Sequence, residues 1–463
     1  ASSAAPETVV APLGGEGRLD IRGVRGEIFV QLGRPGEIRF LASPGAPGGE
    51  APEIALRRET GRILLGPAGE GAEAEGKLEV AVPPETSVFV ETSDGKVWAS
   101  GLRGGLDVRG ERIVVEGRGL RGGASVAVEG GEISLLHVEG DVSVESGAAD
   151  VELSTIEGRV VVGASGGSVA IRGVRGEIDA TTFGTALSVE EAEGALALRA
   201  RGGRATLTKL GDGATMQLEG TPLSLVEASG DVEVHSDAPI EFRNCAASLR
   251  FGALGGSVRG VKNEGLLEIR STGGGEIDVT DVAGPVGIEG DGGSIRLKDV
   301  LTALTVVAVR SDVSIVGTYG AVIVESERGA IEISRAQGDL DVTSRHGEVR
   351  LGSLSGAVRV EADGPVLEVG WARIPSEKDS SIRNSGGGAT VVFGGAGGCA
   401  VEAVARLGHV ESEIPSVIVS PDGAEARGPV GAGGAATVRI EAEGDVRLLA
   451  GGGAGGDPGA PER

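Results

Sequence analysis

The chain has 463 residues, a formal net charge of −25, 84 glycines and only 2% aromatic residues. Aliphatic residues are plentiful and regularly placed, so the high glycine content does not indicate low-complexity disorder. Charges of both signs are interspersed without a basic patch, which argues against nucleic acid and anionic membranes as partners. No stretch is long and apolar enough to predict membrane insertion.

The first part of the chain is irregular. Residues 1–12 are predicted to form a flexible leader, and residues 13–84 a β cap over the first coil of the next segment. Strand-like segments occur around Leu19–Ile21, Ile28–Val30 and Leu78–Val82, and prolines interrupt the pattern between them. A cap is expected because a bare terminal coil would leave its backbone groups unpaired.

An 18-residue repeat follows and fixes the predicted architecture. It slips by one residue at Cys245, and a 19-residue step after Asn263 restores the phase. A glycine stands two positions after 12 of its 15 members. A constant period of this kind indicates stacked identical units. The members are Leu102, Leu120, Val138, Ile156, Val174, Ala192, Leu210, Ala228, Cys245, Asn263, Val282, Val300, Thr318, Ala336 and Leu354.

Within each repeat, aliphatic pairs such as Val322/Val324 and Ile331/Ile333 enclose one polar residue. This alternation predicts short strands with one inward and one wetted face, two nine-residue units per turn. The chain is therefore predicted to be all-β, a single-stranded parallel β-helix (β-solenoid), with about 16 regular turns over residues 85–370. Right-handed coiling is expected. A left-handed hexapeptide helix needs inward aliphatics every six residues, which the spacing does not supply. The low aromatic content predicts a core too narrow for rings.

The last part of the chain is irregular again. Residues 371–450 are predicted to form irregular C-terminal coils and a cap, and residues 451–463 a disordered tail rich in Gly and Pro. Trp371 stands where the repeat ends and is interpreted as a plug of the last coil. Trp98 lies between two inward positions and is expected to point outward, as a contact point or beneath the N-terminal cap.

Several segments resemble one family. They are Gly17–Val30 (GRLDIRGVRGEIFV), Leu78–Thr92 (LEVAVPPETSVFVET), nine-residue units such as Ser229–Val234 (SGDVEV), Gly408–Pro415 (GHVESEIP) and Glu443–Leu448 (EGDVRL). Together they resemble the uncharacterised bacterial "putative adhesin" β-solenoid proteins over nearly the whole chain. The resemblance implies the same fold and no established catalytic residue.

The residues with chemical potential show no site-like spacing. Cys245 is predicted to be a small buried residue, and a disulfide with Cys399, 154 positions away, is not expected. Asn263 and Thr318 are polar residues on an inward row, and Asn263 is expected to hydrogen-bond within its own corner, beside a local bulge. The histidines are expected to be exposed, without metal ligands nearby: His137, His235, His346 and His409.

Acidic residues cluster within three turns, as a polysaccharide-degrading β-helix would require. A solvated outer face explains them equally well, and the regular repeat leaves no room for loops around an active site. Calcium-type Gly-Asp-Gly matches at 211–213 and 290–292 do not recur in consecutive turns. The glycine runs at 273–275 and 386–388 lack the features of a phosphate loop and are predicted corners. The acids are Glu289, Asp291, Glu325, Glu327, Glu332, Asp339 and Asp341.

These observations favour a non-enzymatic, extracytoplasmic structural or adhesin-like scaffold that binds through a solenoid face or a terminus. No catalytic, cofactor or metal residues are predicted. The expected partner is a protein or a cell-surface polymer, and a homo-oligomer stays open. The opening Ala-Ser-Ser-Ala-Ala-Pro is typical of a mature secreted terminus. Two alternatives remain, an end-to-end polymerising filament and a carbohydrate-active β-helix enzyme.

Overall fold

The computed structural model describes residues 9–13, 17–45, 51–69, 72–432 and 434–451. The chain divides into two compact units, residues 1–234 (unit 1) and 235–463 (unit 2). Of the predicted leader, residues 1–8 lie outside the described residues and residues 9–12 form a strand. Of the predicted tail, residues 452–463 lie outside them.

All regular secondary structure in the described residues is β-strand, and no helix occurs among them. Unit 1 contains β1 (Val9–Pro12), β2 (Arg18–Arg22), β3 (Val24–Leu32), β4 (Glu37–Ser43), β5 (Ile54–Glu59), β6 (Arg62–Pro67), β7 (Ala74–Val82), β8 (Ser87–Ser100), β9 (Leu106–Leu120), β10 (Ala124–Val138), β11 (Val142–Ile156), β12 (Val160–Ser165), β13 (Ser168–Val174), β14 (Ile178–Ala192), β15 (Leu196–Leu210), β16 (Ala214–Glu219) and β17 (Leu223–Ala228). Strand β18 (Val232–Ser236) lies at the division.

Unit 2 contains β19 (Ile240–Cys245), β20 (Leu249–Leu254), β21 (Val258–Asn263), β22 (Leu267–Thr272), β23 (Glu276–Val282), β24 (Val286–Asp291), β25 (Ser294–Val300), β26 (Leu304–Val309), β27 (Asp312–Thr318), β28 (Val322–Glu327), β29 (Ile331–Ala336), β30 (Leu340–Arg345), β31 (Val349–Leu354), β32 (Val358–Ala362), β33 (Leu367–Trp371), β34 (Ser380–Asn384), β35 (Ala389–Phe393), β36 (Gly398–Ala405), β37 (Val410–Ser412), β38 (Ile418–Val419), β39 (Glu425–Gly431), β40 (Thr437–Ala442) and β41 (Val446–Ala450).

The strands stack in parallel with residues 18 apart in register. In unit 2, for example, Val322 pairs with Leu340 and Ile331 pairs with Val349. Each unit is thus a parallel β-solenoid with two strand segments per turn, and about 17 such turns occur along the chain. This confirms the predicted fold class.

Inward and outward positions also follow the prediction. Every member of the 18-residue repeat is at most 2% exposed, or 0% in the case of the polar Asn263 and Thr318. Ile333 is fully buried, and its neighbour Glu332 is exposed. A continuous aliphatic core therefore runs through the coils of each unit, and burial of its apolar surface is the main stabilising contribution.

A residue with a left-handed backbone conformation precedes each repeat member. Ser334 pairs with Val316 and Ala336 with Thr318, while Arg335 (φ 58°) and Gly317 (φ 77°) stand between the paired positions, so the register is kept. The left-handed residue places two outward positions in succession and turns the chain into the corner. Two positions after the repeat member, adjacent coils approach closely. At Gly176, for example, a Cβ atom would collide with the carbonyl group of Gly158 in the preceding turn. This close approach explains the recurrent glycine.

The 19-residue step has a local cause. Val258 pairs with Ile277, 19 positions on, and the additional residue lies in the corner formed by Gly273, Gly274 and Gly275. The bulge expected beside Asn263 is therefore about ten residues downstream, although Asn263 does bind its own corner through a 2.7 Å Nδ2–H···O bond to Gly265.

One core expectation is wrong, because the core does admit aromatic rings. Phe242 and Phe251 are 1% and 2% exposed, with ring centroids 5.5 Å apart. Phe242 pairs in register with Gly260, and a Cβ on Gly260 would overlap the Phe242 ring. A ring therefore fits where the neighbouring coil contributes no side chain.

The interpretation of Trp371 as a terminal plug is also wrong. Trp371 occupies an inward column between Leu354 and Phe393, with a further coil on either side. Its ring stacks on that of Phe393 at 5.6 Å, and its indole N–H donates to the carbonyl oxygen of Gly356 at 3.1 Å. It is a core residue of unit 2.

The irregular segments end each unit in the same way. In unit 1 the coil β2–β3 pairs with β6–β7 on one side and with β8 on the other. Antiparallel strands β5 and β4 cover β6 and β7. In unit 2 the coil β40–β41 lies between β34–β35 and β36–β37, and antiparallel β39 covers β36. The coil at the end of each unit is thus not formed by the first or last strands of that unit in the sequence.

A buried carboxylate joins the strands of the unit 1 cap. Asp20 on β2 is 0% exposed and accepts hydrogen bonds from Arg18 at 2.7 Å and from Arg62 on β6. The bond to Asp20 raises the pKa of the Arg62 guanidinium above its ordinary value. The guanidinium groups of Arg18 and Arg22 lie 5.2 Å and 4.9 Å from the ring centroid of Phe89 on β8. We call these five residues the Asp20 cluster.

Replacing Asp20 with Asn should destabilise the cap by about 1.5–3 kcal/mol, because the buried side chain loses charge-assisted hydrogen bonds from the partly exposed Arg18 and Arg62. Asp107→Asn is the matched control. Asp107 belongs to the same column of outward residues as Asp20, and its carboxylate pairs with Arg109 at the surface. That change should cost no more than about 1 kcal/mol. Urea unfolding followed by circular dichroism measures both, and equal effects would contradict the role of Asp20.

The match of Phe242 with Gly260 predicts a compensating pair of substitutions. Gly260→Val alone should overpack the core and Phe242→Val alone should underpack it, each at a cost of about 1–3 kcal/mol. The double variant restores an ordinary aliphatic column, so its loss should be smaller than the sum by at least about 1 kcal/mol. Additive losses in the same unfolding experiment would show that the two side chains do not share one space.

Candidate functional site

The outer face of unit 1 carries a trough floored by small side chains. Strands β10, β11 and β12 stack in register and carry small outward residues in three adjacent columns: Ser125 and Ser143, Ala127 and Gly163, and Gly147 and Ser165. The larger outward residues of the same strands are Glu129, Glu145 and Val161. The strands on either side, β9 and β14, are separated by four strand spacings, or about 19 Å. We call this surface the unit 1 trough. Its floor is low where the small outward residues lie.

One wall of the trough is made by Phe89 and its charged neighbours. Phe89 is only 6% exposed because arginines cover its ring, including Arg109 at 5.7 Å from the centroid. Beside it lies a depression of about 520 Å³, lined also by Asp107, Ser143 and Arg159. The ring therefore supports the wall and offers little open face to a ligand.

The other wall contains Phe183, whose side chain is open to solvent. Phe183 is 50% exposed and lies between two further depressions, of about 430 Å³ and about 210 Å³. The larger of these is floored by Ala127, Gly147 and Gly163 and carries Glu145. An exposed ring beside a concave floor with carboxylates is the most ligand-like arrangement that we find in the described part of unit 1.

Elsewhere on the outer faces, opposite charges pair between adjacent coils. Lys209 binds Glu191 at 2.8 Å, and this bond raises the pKa of Lys209 and lowers that of Glu191. Arg112 pairs with Asp94 at 2.6 Å in the same way. Partners 18 residues apart lie on one column, so the acidic composition is largely neutralised locally. Exposed pairs of this kind stabilise little individually.

Recurrent aspartates serve the corners. Carboxylate oxygens of Asp141, Asp312 and Asp339 each accept the backbone N–H of the residue 18 positions later, at 2.9–3.2 Å. In Asp339 a hydrogen bond from Lys378 lowers the carboxyl pKa. Of the two calcium-type matches, Asp212 accepts the backbone N–H of Gly213 and Asp291 pairs with Arg310. These contacts give the aspartates a structural role.

The acids singled out in the sequence do not converge. Glu289, Glu325 and Asp341 point outward from strands of one face, whereas Glu332 belongs to the other strand of its turn. Glu289 pairs with Arg270 at 3.3 Å, and Asp291 and Asp339 have the partners given above. The histidines are exposed, as predicted: His137, His235, His346 and His409. No group of three or more His, Cys, Asp or Glu residues suited to a metal ion occurs in the described residues.

Trp98 points outward, as predicted, and contacts the cap. It pairs in register with Phe29, with ring centroids 6.1 Å apart, and the Lys77 ammonium lies 4.7 Å from the Phe29 centroid. Both rings are only partly exposed. Of the two roles expected for Trp98, the structure places it against the cap segment.

Both cysteines are buried. Cys245 and Cys399 are each 1% exposed and form no disulfide. Burial raises the pKa of the Cys399 thiol to about 11, so the reactive thiolate is scarce at neutral pH. Cys245 is the small buried residue that its position in the repeat predicted. Among the described residues no helix is long and apolar enough to span a membrane.

Sequence reasoning missed the trough and Phe183. The signal was present in the repeat, because Ser125 and Ser143, 18 apart in β10 and β11, are followed by Gly163 and Ser165 in β12 on the next turn. Small outward residues on successive turns predict a depression once the register is known. The position of Phe183 on the neighbouring turn then follows from the same period.

Comparison with known proteins adds little. No family model matches the chain, and no curated protein matches it. A crystal structure of a putative cell adhesion protein from Clostridium sporogenes aligns over 96% of this chain and 100% of that one. The identity is 8% and the TM-score 0.14, a level of likeness that carries no inference.

Proposed function

We propose that this protein is a non-enzymatic, extracytoplasmic, adhesin-like scaffold that binds a protein or a cell-surface polymer through the unit 1 trough. The observation that carries this proposal is the trough itself, a concave surface formed where three successive coils carry small outward side chains at several positions. Concave sites with a few convergent polar groups are the usual form of binding sites. The trough lies on rigid paired strands, so binding needs no large rearrangement of the backbone.

The distribution of acids favours binding over catalysis. Hydrolysis of a glycosidic bond uses two carboxyl groups a fixed distance apart across the substrate. In the trough, Asp107 pairs with Arg109 at 3.4 Å, and Asp141 accepts the backbone N–H of Arg159. These two carboxylates are engaged, Asp107 within its own strand and Asp141 with the next coil. The enzyme alternative therefore has less support than the scaffold.

The covered ends weigh against the filament alternative. End-to-end growth of a parallel solenoid needs open strand edges on the outermost coil. In unit 1 the strands β6 and β7 already pair with antiparallel β5 and β4, and in unit 2 β39 covers β36. A lateral surface is accordingly the better candidate for contact with a partner. The net charge of −25 disfavours nucleic acid and anionic membranes as that partner.

A tryptophan placed in the trough should block binding. Ser143→Trp fills the floor, and Thr305→Trp makes the same change at the equivalent strand position of unit 2. Fluorescently labelled full-length protein would be incubated with intact cells and isolated envelope of the producing organism. We expect saturable binding by the wild type, at least tenfold weaker binding by Ser143→Trp, and wild-type binding by Thr305→Trp.

Circular dichroism and thermal unfolding would confirm that both variants keep the fold. Absence of saturable binding by the wild type would overturn the scaffold proposal. Equal binding of wild type and Ser143→Trp would overturn the assignment to the trough.

A further inference from the structure

We infer that the open edge of β5 in the unit 1 cap is a docking site for an extended acidic segment of a partner protein, which binds by adding one strand to the sheet. This inference goes beyond the trough and does not depend on it. Strand β5 (Ile54–Glu59) pairs with β6 on one side and with no described strand on the other. Addition of a strand to an open edge is a common way of binding an extended peptide.

The hydrogen-bond register identifies the unpaired backbone groups of β5. The amide of Ala68 donates to the carbonyl oxygen of Glu53 at 3.2 Å, which fixes the alternation of bonded pairs along the antiparallel β5–β6 hairpin. Ile54, Leu56 and Arg58 therefore direct their N–H and C=O groups away from β6. No hydrogen bond joins these groups to another described residue. The edge thus presents three donors and three acceptors in the spacing that an extended chain matches.

The other strands at the ends of the two units are protected against pairing. In unit 1, β1 ends in Pro12, which has no N–H group to donate. In unit 2, β37 and β38 contain only three and two residues, and β39 contains Pro429. Short strands and proline are common means of preventing association at sheet edges. Strand β5 has six residues and no proline, so it lacks both.

The charge around this edge favours an acidic partner. Strands β2, β5 and β6 carry five arginines and two acidic residues, although the chain has a net charge of −25. Arg57 and Arg58 are exposed, and neither forms an ion pair with a described residue. A second copy of the chain would bring the same two guanidinium groups to the edge, and like charges on paired strands destabilise the pairing. Carboxylates opposite them stabilise it.

Apolar side chains determine the rest of the pairing. Ile54 and Leu56 lie on the core side of β5, opposite Pro67 and the buried Leu65, and both are only half-buried. An added strand with apolar residues opposite Ile54 and Leu56 extends the apolar face of the cap. Antiparallel addition repeats the pairing of β5 with β6 and does not prolong the parallel coils. The site therefore selects apolar residues in alternate positions together with carboxylates.

Fluorescence polarisation with labelled six-residue peptides tests the site on the full-length protein. The probe TEEVTV, antiparallel to β5, places its glutamates opposite Arg57 and Arg58 and its valines opposite Ile54 and Leu56. We expect saturable binding of this probe. The matched probe TKKVTV should bind at least about fivefold more weakly, because like charges replace opposite ones.

N-methylated probes test the backbone pairing. The valine N–H groups of TEEVTV bond to β5, whereas the threonine N–H groups point away from it. Methylation of both valine nitrogens should therefore weaken binding at least about tenfold, and methylation of both threonine nitrogens less than about threefold.

Two substitutions at one position of the protein separate the backbone from the charge. Arg58→Pro removes the outward N–H group and the guanidinium, and Arg58→Ala removes only the guanidinium. We expect TEEVTV to bind at least about tenfold more weakly to Arg58→Pro and no more than about threefold more weakly to Arg58→Ala. The double variant Arg57→Glu, Arg58→Glu should prefer TKKVTV. Circular dichroism would confirm that each variant keeps the fold.

Ser143→Trp should bind TEEVTV like the wild type, because the floor of the trough lies on β10, β11 and β12. Absence of saturable binding by the wild type, or equal binding of TEEVTV and TKKVTV, would overturn the docking site. A dimer in sedimentation equilibrium that Arg58→Pro dissociates would overturn it too, since a second copy would then occupy the edge. Each of these outcomes leaves the binding of cells through the trough unaffected.

Discussion

Parallel backbone pairing between residues 18 positions apart is the constraint on which the rest of this structure depends. It places each side chain directly above and below its counterparts, so the positions of successive coils form columns of neighbouring side chains. Inward columns must share a constant cross-section, which is why Phe242 is accommodated only by the absence of a side chain at Gly260. Corner columns must let backbones approach, which explains the glycines two residues after 12 of the 15 repeat members. Local errors are therefore compensated within one or two coils.

The same constraint shapes the surface. An outward charge meets a partner one coil away, and pairs such as Lys209 with Glu191 neutralise much of the acidic composition where it occurs. A depression, in turn, can arise without any inserted loop, because small outward residues on consecutive coils lower the surface between taller side chains. The unit 1 trough is built in this way. Binding surfaces on such a fold are determined by residue size along a column, and they are easily altered by single substitutions.

The repeat made the fold class predictable, since alternate aliphatics at a constant period permit few other structures. It also predicted the burial of Cys245 and Asn263 and the outward direction of Trp98. The inward position of Trp371 was not predictable, because the period is broken beyond Leu354 and the register is restored only by pairing in space. Phe242 was misjudged because its space depends on the neighbouring coil. The trough was not predicted for a similar reason. Small outward residues indicate a depression only when the register of the three coils is known.

The order of coils at the ends of the two units has a mechanical consequence. In unit 1 strand β2, the first in sequence of its coil, pairs with both β6 and β8, and in unit 2 strand β41 pairs with both β35 and β37. A pulling force on the chain before β2 or after β41 cannot peel away an outermost coil one hydrogen bond at a time. It must shear a strand held on both edges, so the bonds share the load. Such ends resist unravelling of the chain from either terminus.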